Sequence, residues 1–434
     1  MHKLEFELKQ HTPIIHFQAR DIGATLRASE VKPKLDRFIL TEIGKKHAQD
    51  PTLSKTDPYE RGIEYFKKED DKARKRHEKT NERLELYLIP GQEGALNYKL
   101  SFRLSPDADV QYFLPMSNVS DDKKKDALVK IAKETFILSE SDDVSVLSPS
   151  PYFANEDKAK LPKKEKKNDN GKKNDNDKTK EDELKAGWSK VRLGSLTKSP
   201  IIGTIYFSKE DLKKNVSELI SDFFMLHNFG ARQSKGFGSY TLSSLDGANV
   251  LEEFDMIIDR MLFLGVENSL KCRNSTVGTI FKMVTSFHNK LKTAPNKTSE
   301  IRAYFHEKRI EWEKPIEREL VSLPPKGDTK NYEKKYIRAL LGLHGLFDFS
   351  QLNKQVKVSH DEIQRFASPI LYKPIGDIIF LVLKDMDEQI FDAEFVFSSG
   401  NDTRLVSTPK KDEFDLNDFI SFVNDDDLIY TEDL

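Results

Sequence analysis

One stretch constrains the fold of this chain more than any other, a strand, a helix and a glycine-rich loop that returns to a strand. Ile201-Ile202-Gly203-Thr204-Ile205-Tyr206-Phe207 reads as a strand. Behind it Leu212, Val216, Leu219, Ile220, Phe223 and Phe224 fall on one face of a helix, with Ser208 as its N-cap. The loop Asn228-Phe229-Gly230-Ala231-Arg232-Gln233-Ser234-Lys235-Gly236-Phe237-Gly238-Ser239 then leads into Tyr240-Thr241-Leu242. Three glycines permit positive φ and let backbone amides crowd together. Arg232 and Lys235 add charge, and Gln233, Ser234 and Ser239 add hydrogen-bonding side chains. Such a loop suits a phosphodiester backbone. A helix C-cap at Gly230 and a tight turn at Gly236-Phe237-Gly238 explain the glycines equally well.

What precedes this stretch supplies the rest of a domain. Leu4, Phe6 and Leu8 alternate as a first strand, and Val31, Leu35, Phe38, Ile39 and Ile43 have helical spacing, with Ser29 as the expected cap and Pro33 in the first turn or so. Residues 50–80 are a charged, irregular or helical excursion. Leu84–Ile89, the turn Pro90-Gly91-Gln92-Glu93-Gly94 and Leu96–Leu104 read as a hairpin, and Lys123–Phe136 as a helix. The Lys/Asn/Asp/Glu tract at 155–185 holds nothing that enters a core and is expected to be a disordered insertion. With insertions set aside, residues 1–245 give the βαββαβ order of a ferredoxin-like, RRM-like module. Residues 246–411 read as a second, more helical module with two strand candidates in 366–398. Residues 412–434 are acidic and are expected to be a peripheral helix or a tail.

With these elements in place, Gly230–Ser239 resembles the glycine-rich loop that the RAMP superfamily of CRISPR ribonucleoproteins carries between its last helix and last strand. Gly23-Ala24-Thr25-Leu26-Arg27-Ala28-Ser29 is similar to the segment entering the first helix of many members. Arg365-Phe366-Ala367-Ser368-Pro369-Ile370-Leu371-Tyr372-Lys373 is similar to the Arg–x–x–Ser–Pro strand of the subunit that caps Cmr-type (type III-B) effectors. The resemblance implies an α+β protein of two ferredoxin-like modules without a cofactor. Its partners would be guide RNA, possibly target RNA, and other effector subunits. In such complexes base pairing reads sequence while protein holds backbone and shape. The glycine loop points to Gly230, Arg232, Gln233, Ser234, Lys235, Gly236, Gly238 and Ser239 as RNA contacts, and the basic cluster around the first helix adds Arg27 and Lys32, which can face the same groove in a βαββαβ fold. Lys34 and Arg37 read as a solvated face.

Composition bounds the alternatives. Lys+Arg 70 against Asp+Glu 72 leaves a net charge of -2, so only local charge bears on nucleic acid. The single Cys272 excludes an intramolecular disulfide and a multi-cysteine zinc site. The longest apolar run, Ile378–Leu383, is too short to cross a bilayer, and a cytoplasmic protein is expected. A metal-independent endoribonuclease of the same superfamily is the second reading. Its candidate acids and bases are His11, His16 and His47, and none of these pairs has a revealing spacing. His16 reads as a core or edge residue, His47 as a helix end, and a loop aspartate, Asp21, carries little information. Phe229, Phe237 and Tyr240 read as core more than as base-stacking platforms. A ferredoxin-like assembly protein with no RNA role is the third reading.

Overall fold

The computed structural model describes residues 1–16, 26–115, 121–147, 191–250, 254–272, 276–293, 298–324 and 331–434. The 155–185 tract, Arg20, Asp21 and Gly23-Ala24-Thr25 lie outside them. The chain is mixed α+β and divides into two compact units. One comprises Met1–Gly265 with Lys373–Gly376, and the other Val266–Tyr372 with Asp377–Leu434. Among the described residues no helix is long and apolar enough to cross a membrane.

In the first unit β1 (His2–Gln10) buries Leu4, Phe6 and Leu8 on one face, and the short β2 (Ile14–Ile15) follows. Helix α1 (Ala28–Lys46) buries Val31, Leu35, Ile39, Leu40 and Ile43. It begins before the expected cap: the Arg27 carbonyl accepts from the amides of Glu30 (3.0 Å) and Val31 (3.1 Å), so Ser29 is already inside the helix. The 50–80 excursion is largely a helix, α2 (Pro58–Thr80), capped by the Asp57 side chain on the Glu60 amide at 3.0 Å. It crosses α1 so closely that a Cβ at Gly62 would lie 1.9 Å from the Leu40 carbonyl oxygen.

The expected hairpin is cut short. Buried Asp70 on α2 takes the amides of Tyr87 (2.7 Å) and Leu88 (3.0 Å), which removes them from any ladder. One antiparallel bridge, Leu88–Leu96, joins the two segments, with Ile89 N–H donating to Ala95 O (2.9 Å) and Asn97 N–H to Tyr87 O (2.7 Å). The strand that does form, β3 (Tyr98–Arg103), pairs with β7 (Ile201–Phe207), about a hundred residues on. Between them β4 (Val110–Pro115), α3 (Asp122–Phe136), β5 (Asp143–Leu147) and β6 (Gly194–Thr197) build a separate sheet, ordered β2-β6-β4-β5. That sheet has its own small core around Leu114, Leu128, Val191 and Leu193.

After β7 comes α4 (Glu210–Leu226), whose N-cap is Lys209 rather than Ser208. It buries Leu212, Val216, Ile220, Phe223 and Phe224. β8 (Tyr240–Leu245) and β9 (Ala248–Asn249) complete the main sheet, ordered β3-β7-β1-β8-β9 with antiparallel pairing throughout. Gly203 in β7 makes room for Phe6, whose ring would meet a Cβ there at 2.2 Å. Helix α5 (Phe254–Phe263) closes the unit.

The second unit holds more strand than its sequence announces. It starts with β10 (Asn268–Lys271), α6 (Val277–Lys292), α7 (Glu300–Glu307), β11 (Ile310–Trp312) and α8 (Lys314–Leu320). β12 (Glu333–Lys335) lies parallel to β11. β13 (Leu346–Phe349) and β14 (Lys354–Ser359) come next, ahead of the motif strand β15 (Ile370–Ile375), whose residues from Lys373 on count with the first unit, and its neighbour β16 (Ile378–Leu383). β17 (Glu394–Ser399) and β18 (Asp402–Ser407) follow, then α9 (Leu416–Phe422) and β19 (Leu428–Tyr430). Two four-stranded sheets result, ordered β13-β14-β17-β18 and β15-β16-β10-β19. The acidic C-terminal segment is neither a tail nor peripheral: α9 buries Leu416, Phe419 and Ile420, and β19 pairs with β10. A buried Arg338 binds the carboxylates of both Glu313 and Glu317, each 0% exposed.

Candidate nucleic-acid interface

Two glycines fix the course of the loop between α4 and β8. Gly238 has φ +66°, and a Cβ there would lie 2.0 Å from the Phe229 carbonyl oxygen. Gly230 has φ +77° and approaches the Ile15 carbonyl oxygen within 2.5 Å of where a Cβ would be. Both close approaches are used: Phe229 N–H donates to Gly238 O (2.9 Å) and Ala231 N–H to Ile15 O (2.7 Å). Gly238 N–H donates to Pro13 O at 2.9 Å, and Thr12 Oγ1 donates to Gly236 O at 2.6 Å. The loop is thus sewn to the β1–β2 segment. Phe229, Phe237 and Tyr240 beneath it are fully buried and belong to the core.

Several of the residues expected at RNA are therefore framework. Ser239 is 0% exposed and donates its hydroxyl to Pro374 O at 2.6 Å, so it turns inward instead of reaching RNA. Gln233 gives its carbonyl to Asn228 Nδ2 (2.8 Å) and its side-chain oxygen to Lys34 Nζ. Lys32, expected at phosphate, places its ammonium on Asp36 (2.7 Å) and the Leu96 carbonyl (2.8 Å), 4.1 Å from the Tyr98 ring centre. That set occupies the cation inside the unit. Arg27 stands half-buried at the N-cap of α1.

What the frame holds outward is a single 3-10 turn, Gln233–Lys235, entered through Arg232 with φ 60°. Arg232, Ser234 and Lys235 are half-buried there. A non-glycine residue in this left-handed region costs about 1–2 kcal/mol, so the surrounding hydrogen bonds impose it. Lys34 was expected to lie on a solvated face. It reaches the turn from α1, donating to Asn228 O (3.0 Å) and Gln233, 5.1 Å from the Phe229 ring centre. No local spacing foretells that contact, since it joins residues almost two hundred positions apart. Lys373, the last residue quoted from the Arg–x–x–Ser–Pro strand, was likewise not singled out. Its buried ammonium donates to His227 O (2.9 Å) and Tyr240 O (2.8 Å), and burial holds its pKa well below the ordinary lysine value.

Each of the three candidate histidines has its own neighbours. His11 Nε2 lies 2.8 Å from Thr241 Oγ1, and burial, with Lys373 and Lys9 adding, pushes its pKa down to about 3. A neutral ring at all physiological pH values is a poor proton donor. His16 is buried 3.8 Å from Glu30, and His47 caps α1 with its ring stacked on Tyr65 at 4.1 Å. Among the described residues no cluster of three or more His, Cys, Asp or Glu is placed to hold a metal.

Comparison with known proteins adds the family. The model of the Cmr1 N-terminal domain matches in two overlapping stretches, residues 1–145 and 124–295, and that of the Cmr1 C-terminal domain matches residues 296–432. No curated protein matches. Among solved structures, Cmr1 from Pyrococcus furiosus in its apo form is similar at 10% identity and a TM-score of 0.36, covering 99% of both chains. A chain in the type III-B Cmr-beta bound to cognate target RNA is similar at 11% identity and a TM-score of 0.36, covering 89% of this chain and 96% of that one. The assignment rests on the two domain models.

Proposed function

Because this chain belongs to the Cmr1 family of type III-B CRISPR systems, we propose that it is an RNA-holding subunit of a Cmr effector ribonucleoprotein. Its partners in this reading are guide RNA, target RNA and neighbouring effector subunits in the cytoplasm. The observation that carries it is the turn Arg232–Lys235, presented on a hydrogen-bonded frame that fixes where two cations stand. Backbone contacts need charge and donors at defined positions and no base code. A plain turn needs neither Arg232 nor Lys235.

The strand order β3-β7-β1-β8 supports taking the first unit as a ferredoxin-like module, with α1 after β1 and α4 after β7. The second unit is the other module of this reading. The subunit is taken to bind without cleaving, because neutral His11 and the separate His16 and His47 offer no acid–base pair. To test this, the chain is assembled with its effector subunits and incubated with labelled guide RNA in EDTA. Retention without cleavage, reduced about tenfold by Arg232→Ala with Lys235→Ala, is the expected outcome, corresponding to about 1.4 kcal/mol. Specific cleavage in EDTA would make it a processing nuclease, and unchanged retention in a folded double variant would make the loop a turn and nothing more.

A further inference from the structure

Within the second unit, the Arg–x–x–Ser–Pro segment lies beside a cleft of about 650 Å³, in the size range of small-ligand sites. Its walls are the segment after the 3-10 turn Ile337–Leu341, strand β14, and residues 363–367. The walls are held in place: Leu343 N–H donates to Phe366 O (3.1 Å) and Val358 N–H to Gly345 O (3.0 Å). Gly342 has φ +107° and passes so near the motif that a Cβ would stand 3.3 Å from Ser368 N.

The lining has one electrostatic sign. Lys357 contributes a cation from β14 and Arg365 one from the 363–367 segment, both exposed, and none of the lining residues is acidic. Asp361 and Glu362 lie in the adjoining bend outside the lining. His360 Nδ1 accepts the amides of Glu362 (3.1 Å) and Ile363 (3.0 Å), which leaves the proton of a neutral ring on Nε2 as a donor. Gln364 adds an amide with both donor and acceptor, and half-buried Phe366 an aromatic surface. The His360 ring also packs 5.0 Å from buried Phe395 at the base. Cations for a phosphate, a planar apolar surface for a base and an amide for its edge are what a single unstacked nucleotide requires.

We propose that this cleft takes one flipped-out nucleotide of a single-stranded RNA, with Lys357 and Arg365 on its phosphates and Phe366, His360 and Gln364 at its base. The inference rests on the chain being an RNA-holding subunit, and it gives the second unit its own contact with that RNA. Thiouridine-containing single-stranded RNA, cross-linked to the full chain and mapped by mass spectrometry, tests it. Cross-links are expected in residues 343–367. Lys357→Ala with Arg365→Ala, both at exposed positions, should remove them and weaken binding about tenfold. The salt slope should fall by about 1.4 for two lost single-strand phosphate contacts. RNA that cross-links only elsewhere, and binds the double variant unchanged, would overturn the cleft while leaving the loop reading in place. Absence of RNA binding to the wild-type chain, alone and in its effector, would overturn both. Uridine monophosphate titrated alone distinguishes the source: saturable binding of UMP with no RNA cross-link in the cleft would make it a free-nucleotide site and overturn the proposal.

Discussion

In the first unit the proposed RNA surface is a backbone feature, a turn whose shape two glycines and a set of main-chain hydrogen bonds dictate. In the second unit the candidate surface is made by side chains that converge from a strand, a post-turn segment and the residues before Ser368. The two kinds of site fail in different ways. A backbone site is lost when a Cβ is forced where none fits, and a side-chain site when the charges go while the fold stays. They also rest on different interiors: aromatic and aliphatic beneath the loop, and a buried Arg338 between two glutamates close to the cleft wall.

The largest expected effect tests that second interior. Arg338→Met leaves Glu313 and Glu317 buried without their cation, and breaking such a pair from one side costs about 3–5 kcal/mol. Chemical denaturation followed by fluorescence, with hydrogen exchange to locate the loss, should show protection falling in residues 313–347 and holding in the loop at 228–240. Equal loss in both would merge the two interiors into one.

Next comes the backbone itself. Gly238→Ala places a Cβ against the Phe229 carbonyl at a positive φ, and about 3 kcal/mol or more of unfolding free energy should go. Gly376 has φ +61° and open space around its missing Cβ, so Gly376→Ala should cost only the conformational part, about 1–2 kcal/mol. Similar losses for the two in urea titration would show that close approach is not what the loop glycines provide.

A gentler comparison uses pH. His11, its pKa pushed down to about 3 from the usual 6.5, binds a proton only in the unfolded chain between those values. Its contribution to stability is lost as pH falls through that window. Lys292 in the second unit is half-buried, and burial, with Arg338 adding, pushes its pKa from 10.5 down to about 7. There the unfolded chain binds the extra proton between 7 and 10.5, so stability rises with pH across that range. Lys292→Met should flatten the alkaline limb and His11→Asn the acid one, each leaving the other slope in place.

How much of this was legible in the sequence follows from the same contrast. Alternation in Leu4, Phe6 and Leu8 and the apolar spacing of α4 mark their elements because those periodicities are local. The glycines marked the loop for a similar reason: positive φ is a residue-by-residue demand. The hairpin is shorter than the alternation of Leu84–Ile89 announces, because the deciding group, Asp70, lies on another element. Lys32 and Ser239 have the right chemistry for RNA, and only tertiary contacts to Asp36 and Pro374 show it directed inward. Lys34 reads as solvated in the sequence because its contact with Gln233 is tertiary as well. The cleft is hidden for this reason too, since Lys357 and Arg365 line one cleft only after β14 and the motif segment fold together.

The most direct measurement is the salt dependence of RNA affinity for the full chain, with Arg232→Ala and Lys235→Ala combined. The wild type should bind with a steep log–log slope, and the double variant, with an unchanged unfolding curve, should lose about 1.4 of that slope for two phosphate contacts. A folded double variant whose affinity and slope both match the wild type would contradict the claim that this turn holds RNA.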